Sequence, residues 1–229
     1  MQEKVIDALK AVRYRVVADA TELAAVRRLR YKCYRAEGMI ADHVDEIMAD
    51  DFDETPNCIH VAVEMEGEMR AAIRLHLVSQ KYVASPTLTI FPELKERVET
   101  GFTILDPTRF VTDPSARKQR LPLHFLILRV PFLAALSYNV DLALATVRSE
   151  HAAFYLRYLG YDRAIPARSY PELKKPLQLL VARFPEQRKK VLDHTPVFGP
   201  IDDIPHASID FPDLSDVYAP SKRWKIAAA

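Results

Sequence analysis

The chain interrupts its most apolar stretches with charge in four places: Arg30, the run Asp50-Asp51-Phe52-Asp53, Arg74, and the run from Asp106 through Pro107 and Thr108 to Arg109 and Phe110. Each island lies beside or inside a segment that reads as a hydrophobic helix or strand. A charge withdrawn from water is costly unless a partner of opposite sign meets it. A fold that buries these segments must therefore bring the islands together, and the pattern predicts one buried site built from distant parts of the sequence.

With 229 residues, 49% of them hydrophobic and 28% charged, the chain can bury a sizeable core. The expectation is a single domain over residues 1–200 with a C-terminal arm over 201–229. A formal net charge of +1 gives no support to nucleic-acid binding driven by bulk charge. Cys33 and Cys58 stand apart without metal or redox spacing, which predicts reduced thiols and a cytoplasmic setting. Met1 to Lys10 reads as a charged amphipathic helix, not a signal peptide. The most apolar run, Leu121 to Leu136, carries His124, Arg129 and two prolines and is too short for a membrane span, so a buried helix explains it. The seven histidines show no close metal-ligand spacing, and no metal is expected.

Tyr14–Val17 reads as a strand. Asp19, with Glu22 three residues on, has capping-box spacing and opens a helix with Leu23, Val26 and Leu29 as its apolar stripe and Gly38 as its stop. Met39–Pro56 is an acidic loop carrying Asp50 and Asp53. Cys58–Met65 and Met69–Val78 are β runs joined by Glu66-Gly67 in a tight hairpin, and regular pairing from that turn puts Arg74 on the face of Ile59, Val61 and Val63. A helical piece near Glu93–Thr100 precedes a strand over Phe102–Val111, in which Pro107 signals an edge, a bulge or a splayed neighbour. Leu121–Tyr138 is the apolar helix, with Pro131 predicting a kink. Asp141–Val147 is a buried strand, Ser149 opens a helix ending at Gly160, and Leu177–Phe184 is the last clear strand. Beyond Pro185 the sequence is mixed and proline-rich.

This order of strand, helix, hairpin, strand, helix, strand, helix and strand resembles the Gcn5-related N-acetyltransferase fold. Val147 to Tyr161 looks like its fourth strand-to-helix unit, with an aromatic-rich helix followed by Gly-aromatic. Arg30 with Tyr34, Asp50 with Asp53, Arg74, and Asp106 three residues before Arg109-Phe110 resemble the pattern of acyl-homoserine-lactone synthases and the related N-acyl amino acid synthases. The resemblance covers roughly Tyr14 to Phe184. It departs where the family has a tryptophan after the first helix, here Ile40 or absent, and where its glutamate is Asp106, followed by Pro107. The missing tryptophan points away from lactone synthesis and leaves acyl transfer standing.

The resemblance implies an α/β fold with a mixed, mostly antiparallel twisted sheet, flanked by helices and splayed around its middle strands. It implies an N-acyltransferase that moves a medium- or long-chain fatty acyl group from a thioester to the amine of an amino acid or related metabolite. Lactone synthesis with S-adenosylmethionine as acceptor, ordinary acetyl-CoA acetylation, and an inactive acyl-binding module are the alternatives. Amide formation from a thioester needs a neutral amine, a polarised carbonyl and a proton for the departing thiol. The sequence has no Gly-x-Ser-x-Gly elbow and no persuasive Cys/His pair, which agrees with direct attack.

Candidate roles follow. Asp106 is read as the base that takes the amine proton or as an ion-pair partner of Arg30, Arg74 or Arg109. Asp50 and Asp53 are read as the acceptor site or as a solvated acidic loop, with Arg30 and Tyr34 at i, i+4 on one helix face turned toward it. Tyr155 is read as the proton donor to the thiolate or as core. Phe125 and Phe132 are read as walls of an acyl tunnel or as core. Arg117, Lys118 and Arg120 fall where the fold holds its donor. The stretch Asp113–Pro122 has no glycine to admit a coenzyme A pyrophosphate. It therefore favours acyl-phosphopantetheine on an acyl carrier protein over acyl-CoA, with the basic side chains meeting an acidic carrier. No permanently bound cofactor is expected, and the oligomeric state is left open.

Overall fold

The computed structural model describes residues 2–118, 122–170 and 173–221. Helix α1 (Gln2–Ala11) leads into strand β1 (Val12–Val16) and helix α2 (Ala20–Ala36), followed by the hairpin β2 (Cys58–Met65) and β3 (Glu68–Val78). Short helices α3 (Pro86–Ile90) and α4 (Leu94–Glu99) precede β4 (Ile104–Thr112), α5 (Pro114–Lys118) and the long α6 (Leu123–Ser137). Then come β5 (Leu142–Val147), α7 (Ala152–Tyr158), β6 (Asp162–Arg168), β7 (Leu177–Arg183) and α8 (Phe184–His194). The strands form one open sheet in the order β1-β2-β3-β4-β5-β7-β6, antiparallel except between β4 and β5. This is the acetyltransferase-like architecture expected from the sequence.

Alternation along β3 divides the core. Ala71, Ile73, Leu75 and Leu77 meet α1 and α6 in the main apolar cluster. Ala72 packs with Val26 and Leu29 of α2, and Val78 with Leu88 of α3 and Leu94 of α4. Arg74 belongs to this second face and not, as regular pairing predicted, to that of Ile59, Val61 and Val63. The two-residue turn is present, with Met65 opposite Glu68, but Glu64 pairs with Met69 and Val63 with Ala71, so Arg70 is an extra residue on β3. One inserted residue reverses the parity of everything beyond it and sets Arg74 opposite His60.

Helices α3, α5 and α8 and strand β6 escaped the sequence reading. Strand β6 is exposed along most of its length and carries Pro166, as suits an edge. Helix α8 starts with Pro185 in its first turn, where a missing N–H breaks no bond. Helix α6 runs unbroken through Pro131. Its buried Arg129 donates Nε–H to the Val197 carbonyl (2.9 Å), Nη2–H to that of Gly199 (2.7 Å), and Nη1–H to that of Ala207. Residues 201–221, expected as a surface arm, lie against this helix and contribute Ile204, Ala207 and Tyr218 to the core. No helix among the described residues is long and apolar enough to cross a membrane.

Candidate active site

The charged islands meet on the α2 side of the sheet. Asp53 Oδ1 accepts from Arg30 Nη1 and from Arg74 Nη1, each at 2.6 Å, and its Oδ2 accepts from Arg27 Nε at 3.0 Å. Asp50 takes Arg74 on both oxygens (2.5 and 3.1 Å), and its Oδ2 also accepts from Arg109 Nε (3.2 Å) and Nη2 (2.6 Å). Arg30 and Arg74 are almost wholly buried, so these are desolvated, multiply bonded pairs. Burial pushes the Asp50 carboxyl up, but Arg74 and Arg109 outweigh it and bring the carboxyl down to about 2. The same contest holds Asp53 well below the usual carboxylate range, through Arg30 and Arg74.

His60 completes the cluster. Its Nδ1 lies 2.9 Å from Arg30 Nη2 and its Nε2 lies 2.8 Å from the Asp53 carbonyl oxygen. Arginine can only donate and a carbonyl can only accept, which fixes a neutral ring protonated at Nε2. Burial and the neighbouring Arg30 lower its pKa to about 4, in keeping with that state.

The network anchors a distortion in β4. Ala72 pairs with Val111 and Arg74 with Thr108, so Arg109 and Phe110 together oppose Ile73 in a β-bulge. Arg109 sits there at φ 54°, in the left-handed region that a branched or long side chain rarely occupies. Its guanidinium is held by Asp50, and Arg74 Nε donates to Thr108 Oγ1 at 3.0 Å. Asp50 and Arg74 thus hold the leading end of the bulge, and Arg109 also lies over the Tyr34 ring, 5.8 Å from its centroid.

Beside the bulge the sheet opens. β4 and β5 pair only at Ile104–Leu142 and Leu105–Ala143, after which β4 stays with β3 and β5 with β7. The facing edges of the two strands are left without each other, and Pro107 stands at the parting. A cavity of about 380 Å³ fills the opening, within the roughly 300–1,000 Å³ of small-molecule sites. Pro107–Thr112 and Ala143–Val147 form its two edges. Its apolar depth is closed by Leu128, Phe132, Leu159 and Phe184. Tyr34, Glu37, Arg109, Arg148 and His151 line it toward α2. Backbone N–H and C=O groups on separated strand edges can bond an extended amide chain and a thioester carbonyl.

The predicted residues divide sharply around this cavity. Tyr34, Arg109, Phe132 and Tyr155 line it; Arg30, Asp50, Asp53 and Arg74 lie behind the wall as the buried network. Phe125 faces the aromatic core instead, with Phe154 at 5.3 Å and Phe198 at 6.0 Å between ring centroids, because its position on α6 turns away from the opening. Arg117 and Lys118 end α5, whereas Arg120 lies outside the described residues. Among the described residues no cluster of three His, Cys, Asp or Glu side chains is arranged to hold a metal ion. Sequence reasoning passed over Glu37, Arg148 and His151. The signal for Arg148 was a charge directly after the apolar strand ending at Val147.

Asp106 lies apart from the arginine cluster, against its ion-pair reading, and reaches the cavity through Thr87, whose Oγ1 is 3.0 Å from that of the lining Thr146. It is fully buried beneath α3, where Ser85 Oγ (2.6 Å) and Thr87 N (3.2 Å) donate to Oδ2 and Thr87 Oγ1 (2.7 Å) donates to Oδ1. None of Arg30, Arg74 and Arg109 forms an ion pair with it, and it is not itself on the cavity wall. Burial raises its pKa, and the Ser85 and Thr87 bonds offset only part of that rise. These bonds pin α3 to β4. Asp106→Asn is accordingly expected to cost about 1–3 kcal/mol of stability in urea denaturation and to leave turnover within a few-fold of wild type. A loss of about a hundredfold in kcat with the fold intact would return Asp106 to the chemistry.

An open sheet parted between its parallel strands over an apolar, ligand-sized cavity is the architecture of the acetyltransferase-type acyltransferases. The chain belongs to the N-acyl amino acid synthase FeeM family, whose model matches residues 25–183, and it is an acyltransferase. The solved FeeM, an N-acyl amino acid synthase from uncultured soil microbes, superposes with a TM-score of 0.65 at 19% identity, covering 79% of this chain and 95% of that one. MesI, a CoA-dependent acyl-homoserine lactone synthase, gives 0.57 at 19% identity over 82% and 98% of the two chains. An acyl-CoA N-acyltransferase from Pseudomonas aeruginosa gives 0.52 at 18% identity over 74% and 98%. No curated protein matches by sequence.

Proposed function

We propose that the enzyme joins a medium- or long-chain fatty acyl group to the amine of an amino acid or related metabolite, taking the acyl group from acyl carrier protein. The observation that carries this reading is the cavity, whose apolar depth suits an alkyl chain and whose polar mouth suits a charged acceptor. The donor's phosphopantetheine amides bond the open edges of β4 and β5, which aligns the thioester between them. The amine nitrogen attacks the thioester carbonyl carbon, the C–S bond breaks, and the amine proton leaves through water at the mouth. Tyr155 on the wall gives its proton to the departing thiolate. Burial raises the pKa of its hydroxyl well above the ordinary range, so Tyr155 does not stay ionised: it recovers, through water, the proton lost by the amine and so acts as a relay to the thiolate.

The glycine-free connection after β4, with Arg117, Lys118 and Arg120, supports the carrier protein over free acyl-CoA. The likeness to MesI and to the Pseudomonas acyltransferase supports acyl-CoA as the second reading. The deciding experiment is a thiol-release screen of carrier-protein and coenzyme A thioesters, from acetyl to long-chain, against the amino acids and S-adenosylmethionine, with product masses measured. Acyl amides of amino acids formed faster from the carrier protein support the proposal. A lactone product, or turnover of acetyl thioesters alone, overturns it.

A further inference from the structure

The buried acids expected to grip the acceptor are spent. Asp50 and Asp53 are saturated by arginines behind the wall, and a small molecule could reach them only by breaking desolvated ion pairs. Arg109 reaches the cavity, but Asp50 holds it with two hydrogen bonds. A different pair stands at the mouth. Arg148, the residue after β5, reaches Glu37, the C-cap of α2, with 3.2 Å between Nη2 and Oε2. Both line the cavity, and their side chains are 17% and 30% exposed.

This pair differs from the buried network in one decisive respect. Glu37 is the more exposed partner, at 30% against the 0–5% of the arginines that hold Asp50, so exchanging it for a ligand group costs less than breaking the buried pairs. Arg148 is also within 3.4 Å of Glu150 and donates to His151 Nε2, so its head group is oriented, and its planar fork suits a carboxylate. The pair bridges α2 and the end of β5, on either side of the entrance to the splayed strands. A zwitterion inserted between the two would find a partner for each of its charges. Its amine, one carbon from the carboxylate, would be directed toward the parted edges where the thioester lies.

We infer that Arg148 is the anchor for the carboxylate of an amino-acid acceptor, and that Glu37 is its resting counter-ion, displaced when the acceptor enters. The inference rests on the N-acyl amino acid reading and names the acceptor subsite within it. It assigns recognition of the acceptor's carboxylate to the partly exposed mouth and leaves the buried arginines the task of shaping the wall.

The test compares the amino acid acylated best by the wild-type enzyme with the amine left when its carboxyl group is removed. Arg148→Gln is expected to raise the acceptor KM for the amino acid by about tenfold or more, the loss of one charge-assisted contact, with kcat little changed. For the decarboxylated amine kcat/KM stays within about twofold, because no carboxylate is there to miss. Arg148→Lys falls between the two. The amine also reports folding, since a misfolded variant loses both substrates together. An unchanged KM for the amino acid, or equal losses on acid and amine in a variant whose urea-denaturation midpoint matches wild type, overturns the inference and leaves the acyltransferase reading intact. A wild-type enzyme that acylates no amino acid overturns the functional reading itself, and this subsite with it.

Discussion

Asp53→Ala is expected to lower the free energy of unfolding by about 3–5 kcal/mol, a large part of the roughly 5–15 kcal/mol that a domain of this kind has. The reason is the position of Asp53 at the centre of the ion-pair cluster. Its two oxygens accept from Arg27, Arg30 and Arg74, and it is 3% exposed. Removing it leaves Arg30 buried with only the neutral His60 ring as a side-chain acceptor. Arg30 already sits in a setting that lowers its pKa, first through burial and then through the adjacent charges of Arg74 and Arg109, with Asp53 opposing them. The contrast is Glu93→Ala, which removes the partner of Arg168 on the surface, where both side chains are 40–50% exposed; that change is expected to cost far less. Urea denaturation of the two variants beside wild type checks the pair. Equal small losses would mean that the buried cluster contributes nothing particular to stability. If Asp53→Ala fails to yield folded protein, Asp53→Asn, which keeps the shape of the hub, serves for the same measurement.

That cluster was the most legible part of the molecule. A charge inside a hydrophobic segment needs a partner, and the partner's sign is known, so Arg30, Arg74, Asp50 and Asp53 could be placed together without coordinates. Pro107 was legible for the same kind of reason, since a residue without an N–H marks the point where β4 parts from β5. What remained hidden turned on single-residue geometry. Arg70 bulges out of β3 and Arg109 adopts a left-handed backbone, and neither leaves a mark in residue type. The first reversed the face assigned to Arg74. Asp106 does not join the arginines because its partners, Ser85 and Thr87, come from the N-cap and first turn of a five-residue helix with no periodic pattern to announce it. The acceptor mouth was missed because Glu37 and Arg148 each lie at the end of an element, where a charge is ordinary. Only the sheet topology brings those two ends together.

The second large effect concerns the acyl chain. The cavity exists because small side chains face it, with Ala143 and Ala145 on β5 and Ala135 on α6 where valine or leucine would fill the space. Ala145→Phe puts a ring into the opening, where it meets vacant volume more than packed atoms, so the overpacking cost stays at or below the usual 1–3 kcal/mol or so. The chain it displaces loses more. Excluding three or four methylene groups at ~0.8 kcal/mol each removes roughly 2.4–3.2 kcal/mol of binding, about a hundredfold in kcat/KM. The expected result is therefore a hundredfold fall, or thereabouts, for long-chain thioesters, with the shortest donors keeping wild-type kcat/KM, read from a series of increasing chain length. The shape of that series carries the argument. The ring narrows the apolar depth but touches neither Arg148 nor the edge of β4, so attack on the carbonyl is unimpeded for any acyl group short enough to fit. A uniform fall across all lengths would mean that the ring disturbs the reacting centre, and no fall at all would mean that the acyl chain lies elsewhere.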